Sequence, residues 1–234
     1  MRRFAISTVK SINWTMRKMT AGTHFLQYAL EWGWEPKPKW FDHFLNQHWQ
    51  MSAKNSGLHV ERGVFSRFLL KPNGRLLELC CGDGFNSRHF YASAARSVTA
   101  IDFDATAISH ARRFNSAPNV DYQQRDIRSG LPEGPFDNII WDAAMDYLTP
   151  AEIEKLLKEI VHLLGKTGIV SGYAVAERED GRKSNAYQEF QFKDKEDLRR
   201  FFAPHFQHVK VWETFHPTRH NLYFAASQSP IEMM

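Results

Sequence analysis

From Arg75 onward, short apolar runs alternate with longer stretches of helical period. The run RLLEL at 75–79 predicts a first strand, the turn 80–84 follows it, and a helix is expected to about residue 93. SVTAID at 97–102 predicts a second strand, and Asp104 is placed to cap a helix over 105–114. Weaker apolar runs at 120–123 and 138–141 predict the third and fourth strands. TPAE at 149–152 combines a capping box with Pro150 at the first helical position, and its helix is expected to reach about 164. A fifth strand at 168–174, a polar loop from Glu177, and a helix capped by Asp194 and ending near Phe202 come next. Strands at 209–214 and 221–226 are joined by a short connection containing Pro217, which predicts an antiparallel hairpin. The order is that of an α/β fold: a mostly parallel seven-stranded sheet, helices on both faces, and the hairpin at its C-terminal end.

The first 74 residues read differently. Residues 1–30 contain no acid, and Val9, Ile12, Met16 and Met19 share one face of a basic amphipathic helix. Three readings stand: a helix packed on the domain, a helix lying on an anionic membrane surface, and a mitochondrial transit peptide. Five of the seven tryptophans lie before residue 50, and Pro36 and Pro38 bound a linker among them. So much aromatic surface outside the main fold has to pack on it or line a pocket, as an aromatic-rich lid would. The chain is accordingly divided into an N-terminal extension, 1–74, and a main domain, 75–234.

The 234 residues, 43% of them hydrophobic, suit one ordinary globular domain with an extension, and no apolar run is long enough for a membrane-spanning helix. Of the 30 Lys and Arg residues, five precede the first acid, Glu31, leaving 25 against 26 acids, so the body is close to neutral despite a formal charge of +4. A nucleic-acid groove needs concentrated cations, and none is expected here. The only cysteines, Cys80 and Cys81, are adjacent and suggest neither a disulfide framework nor a metal site.

Chemistry concentrates in LLELCCGDGF, where an apolar strand delivers Glu78 into a tight turn containing Gly82 and Gly84. Glycines there let backbone N–H groups approach a ligand at a helix start. Asp102, Asp126 and Asp142 stand at the ends of strands two, three and four, and Glu78, Asp102 and Asp126 are spaced 24 residues apart. One strand-helix unit separates each pair, so all four acids reach the carboxyl edge of one sheet, where open α/β folds bind ligands. A carboxylate after strand two can accept both hydroxyls of a ribose, and Phe103 can cover an adenine face. Asp126 can accept from an adenine amino group, with Ile127 in apolar contact.

From about Arg75 to Ser227 the chain resembles the class I S-adenosylmethionine-dependent methyltransferases, which have a Rossmann-like fold. LELCCGDG matches the family's acid and three-glycine turn with one departure, Cys80 in place of the first glycine. The resemblance assigns cofactor binding to Glu78, Cys80, Gly82, Gly84, Asp102, Phe103, Asp126, Ile127 and Trp141, with S-adenosylmethionine as donor and S-adenosylhomocysteine as product. VKVWET and NLYFAAS match its terminal hairpin. A nicotinamide-binding domain fits less well, since the third glycine of its motif would fall on Ser87. After strand four the chain reads WDAAMDY, without the Asn or Asp, prolines and aromatic of the enzymes that methylate base amines.

A small-molecule acceptor is therefore expected, with a sugar or saccharide hydroxyl favoured. Such a hydroxyl must lose its proton, and the candidate bases are Asp142, Asp146, Tyr147, Glu189, His216 and His220, with Asp142 and Glu189 preferred. The competing class is a catalytically silent methyltransferase-like scaffold. The expected location is cytoplasmic or membrane-peripheral, with mitochondrial placement the alternative if residues 1–30 are a transit peptide.

Overall fold

The computed structural model describes residues 58–177, 181, 188–216 and 219–232, together with isolated helical positions between 15 and 30. The remainder of the basic N-terminal segment, the tryptophan-rich stretch and most of the polar loop after the fifth strand lie outside the described residues. Among the described helices, none is long and apolar enough to cross a membrane.

Helix α1, Leu58–Phe68, is followed by β1, Arg75–Leu79, and β2, Ser97–Asp102. Helix α2, Ala105–Phe114, leads to β3, Val120–Gln124, and then to β4, Phe136–Asp142. Helix α3, Pro150–Leu163, precedes β5, Leu164–Val175. Helix α4, Lys195–Phe202, precedes β6, His208–His216, and β7, Arg219–Ser227. The strands form one sheet in the order β3-β2-β1-β4-β5-β7-β6. β1 to β5 pair in parallel, and β7 runs antiparallel to both β5 and β6. The expected α/β architecture with a terminal hairpin is present. Strand order reverses between β1 and β4, which opens a crevice at their carboxyl ends.

Local signals set most of these boundaries. The Asp104 carboxylate accepts from the N–H groups of Thr106 and Ala107, and Thr149 and Glu152 form the reciprocal capping box. Along the buried parallel strands, alternate residues go to opposite faces. Leu77, Leu79, Ile139 and Trp141 join the core beneath α3 and α4, while Leu76, Val98, Ala100 and Ile140 join the core that includes Tyr91 and Ile108 of α2.

β4, β6 and β7 extend a residue or two beyond the expected bounds at their ends, and two elements differ more. β5 begins four residues earlier than the sequence pattern suggests, because Leu164 already pairs with Phe136 across an irregularity in register. The helix after the glycine turn is short and contains a π-helical turn, Ser87–Tyr91, closed by Ala92 N–H donating to the Ser87 carbonyl. That turn keeps both Ser87 and Tyr91 facing inward.

Helix α1 lies ahead of the division expected at residue 75, yet it is bonded into the sheet. Glu61 accepts from Thr214 Oγ1 at 2.6 Å and Tyr223 Oη at 2.5 Å, and Asn221 Nδ2 and His216 Nε2 lie at 3.3 and 3.2 Å. Burial pushes the Glu61 carboxyl upward, but these hydrogen bonds and His216 outweigh it and hold the group below its ordinary value.

Candidate functional site

The turn after β1 is shaped by backbone conformation. Cys80, Gly82 and Gly84 adopt φ of 57°, 56° and 76°, all in the left-handed region. A side chain on Gly84 would place its Cβ 2.6 Å from Tyr122 Oη, so this position has room only for glycine. Cys80 occupies a conformation that costs an L-residue on the order of 1 kcal/mol and that glycine adopts freely. Burial raises both cysteine thiols well above their ordinary range, so neither is a thiolate.

Asp102 ties this turn to β2: its Oδ2 accepts from Gly82 N–H at 3.0 Å and its Oδ1 from Asp104 N–H at 2.9 Å. Burial raises its pKa to about 6, against the lowering effect of those two donors. Phe103 beside it is 61% exposed, an open aromatic face at the crevice. On the neighbouring strand, Asp126 accepts from Arg128 N–H at 2.9 Å and caps a short 3-10 turn in which Ile127 is buried. These residues converge on one edge, as expected. Glu78 lies deeper, accepting a hydrogen bond from the Ser87 hydroxyl. Burial, with Asp142 and Asp83 adding to it, raises its pKa to about 8, so it is mostly neutral at pH 7.

Trp141 is placed differently from expectation. Its ring is fully enclosed in the core, with Nε1 lacking a hydrogen-bond partner among the described residues, so no face of it meets the crevice. The cause is strand alternation, which turns residue 141 inward and presents its neighbour Asp142 at the strand end.

Asp142 accepts from Tyr91 Oη at 3.3 Å, while its Oδ1 has no partner among the described residues. Burial raises its pKa to about 6, and Arg62, Tyr91 and the backbone of Tyr173 restrain the rise. Arg62, on α1, is buried with its guanidinium 5.8 Å from the centre of the Tyr173 ring. Arg219 approaches the same ring at 5.7 Å and donates to Tyr173 Oη at 3.1 Å. Next to them, the carbonyl of Asp146 accepts from the N–H groups of Glu189 and Phe190, and its buried carboxylate accepts from Gln188 at 2.6 Å. Glu189 reaches the same edge, but its side chain is exposed. His216 and His220 are engaged by Glu61 and Glu213. Among the described residues no group of three or more His, Cys, Asp or Glu is disposed to hold a metal.

Arg62 and Arg219 were not singled out by motif. Arg62 precedes the recognisable domain and Arg219 sits beside the hairpin turn, so neither has a local spacing that marks it.

The family model described as a methyltransferase domain matches residues 76–168, from β1 to the start of β5. Residues 76–168 are a methyltransferase domain, and the fold is that of the S-adenosylmethionine-dependent methyltransferases. The methyltransferase domain is similar over 117 residues to EEF1A lysine methyltransferase 4 of Bos taurus, at 28% identity, covering 45% of this chain and 46% of that protein. It is 26% identical over 129 residues to the malonyl-[acyl-carrier protein] O-methyltransferase of Bacillus cytotoxicus, covering 54% of this chain and 42% of that protein. The matches thus span less than half the length of these two curated relatives. In fold it is similar to DhpI, solved as a complex with SAH, with a TM-score of 0.59 at 19% identity over 88% of this chain and 95% of that one. The N-methyltransferase NodS of Bradyrhizobium japonicum gives 0.61 at 16% identity, over 74% and 98%. The crevice over Gly82, Gly84, Asp102 and Asp126 holds residues that the sequence resemblance assigns to S-adenosylmethionine, and the edge from Asp142 to Arg219 lies beside it.

Proposed function

We propose that the chain transfers the methyl group of S-adenosylmethionine to a hydroxyl of a small-molecule acceptor, a sugar or saccharide ring being favoured, with Asp142 as general base. The observation that carries this reading is the unfilled Oδ1 of a buried carboxylate at the end of β4, on a group whose pKa is raised to about 6. The sulfonium donor is already activated, so the protein's work is to align acceptor, methyl and sulfur and to take one proton. A carboxylate poised near neutrality is suited to that step. Phe215, 71% exposed and stacked on His220 at 4.3 Å, offers an aromatic face to a sugar ring near the same edge. Glu189 is the second candidate base.

Incubation with methyl-labelled S-adenosylmethionine and a panel of sugars and hydroxylated small molecules tests the reading. Label is expected in the small-molecule fraction, at a rate that rises with pH through about 6 as Asp142 ionises. Asp142→Asn should lower kcat by about 10²- to 10⁴-fold, the usual contribution of a positioned base. Label appearing on protein lysines instead, the acceptor named for the bovine relative, would overturn the small-molecule assignment.

A further inference from the structure

Two guanidinium groups share one aromatic ring at the acceptor edge. Arg62 and Arg219 both lie within 6 Å of the Tyr173 ring centre, from elements 157 positions apart in the chain. Their charges are balanced differently. Arg62 is buried beside Asp142, and each stabilises the charged form of the other. No ion pair among the described residues reaches Arg219. Its hydrogen bond goes to the Tyr173 hydroxyl, and its Nε is buried with no acceptor. Asp146 feels its charge, but that carboxylate already serves Gln188.

Like charges gathered around one ring repel, and an orphaned guanidinium donor is costly. An incoming anion resolves both problems, because the guanidinium fork matches the paired oxygens of a carboxylate or phosphate. A cofactor sulfonium in the adjoining crevice adds further positive potential, which favours a negatively charged acceptor.

We infer that the acceptor carries an anionic group, a carboxylate or phosphate, and that Arg219 holds it while the hydroxyl to be methylated faces Asp142. This rests on the methyl-transfer reading above and adds the class of acceptor. Tyr173, pinned to Arg219 through its hydroxyl, sets the direction in which the fork points.

The test uses the full chain saturated with S-adenosylhomocysteine, with sodium phosphate and sodium acetate as probes and sodium chloride at equal ionic strength as reference. Thermal unfolding is followed as each probe is raised. A saturable rise in Tm is expected for one or both probes beyond that in chloride, and which of them gives it separates a phosphate-bearing from a carboxylate-bearing acceptor. Arg219→Gln should shift the half-saturating concentration at least tenfold upward, and Arg219→Lys should retain part of the response. Arg200→Gln, on the exposed face of α4, should leave it unchanged. The affinity for S-adenosylhomocysteine should be the same in all three variants. If the nucleoside binds but phosphate and acetate act like chloride, or if Arg219→Gln responds as the parent does, the anion site is overturned while the methyltransferase reading stands. If the nucleoside itself does not bind, the methyl-transfer reading fails and the anion site fails with it.

Discussion

At the β1–β2 end of the sheet the site is built from backbone, whereas at the β4–β7 end it is built from side chains. The turn from Cys80 to Gly84 is held by three left-handed residues and by Gly82 N–H on Asp102, groups at most 22 positions apart. The acceptor end joins Arg62 to Asp142 and Tyr173, and Glu61 to Thr214 and Tyr223, contacts spanning 153 and 162 positions for the Glu61 pair. The backbone-made turn depends on its dihedral angles, on the space Tyr122 leaves at Gly84 and on the one carboxylate that holds Gly82. A side-chain site depends on every element that delivers a partner, so a change in any of them reaches it.

Substitutions at the two ends should separate these behaviours. The largest effect is expected at Gly172, in β5 beside Trp141, where an added Cβ would lie 2.0 Å from the Trp141 carbonyl oxygen. Gly172→Ala should therefore cost about 3 kcal/mol or more, read by denaturant unfolding, because backbone has to move to admit it. A loss below about 1 kcal/mol would mean the β4–β5 junction is looser than its geometry. Next is Asp102→Ala, which removes both the anchor of Gly82 and the proposed ribose acceptor. Calorimetric titration should find S-adenosylhomocysteine binding weaker by about 1 to 3 kcal/mol, and unchanged affinity in a folded variant would remove Asp102 from the cofactor site.

A further effect concerns pH. Glu78 has its carboxyl raised from 4.5 to about 8, so the folded state binds the proton more tightly than the unfolded one. Its contribution is therefore full below pH 4.5 and is lost as pH rises towards 8. Thermal unfolding between pH 5 and 8 should show Tm falling with pH, and Glu78→Gln should flatten that slope. An unaltered slope in the variant would locate the effect elsewhere. The smallest change is expected from Cys80→Gly, which relieves the left-handed strain but adds freedom to the unfolded chain. The two terms are each about 1 kcal/mol and opposed, so stability should move by less than about 1 kcal/mol and cofactor affinity should be retained. A tenfold loss of affinity would show the Cys80 side chain itself to be part of the cofactor site.

Much of the fold was legible because its signals are local. Arg75–Leu79, Ser97–Asp102 and Ala105–Phe114 have the expected bounds, and the caps at Asp104, Thr149 and Asp194 all form. The early start of β5 was hidden because 164–168 reads as LGKTG, where only pairing with β4 extends the strand. The enclosed Trp141 shows the limit of motif transfer: being one residue from the strand end was enough to turn it into the core.

By itself, the sequence determined the glycine turn, the acids that follow β1 to β4 and the order of strands and helices. These depend on dihedral preference, period-two alternation and capping within a few residues. Only the tertiary structure decided that α1 is bonded to β6 and β7, that Asp142 feels the charge of Arg62, and that Arg62 and Arg219 meet at Tyr173. Those contacts arise from burying charge among distant elements, and neighbouring residues along the chain carry no record of them.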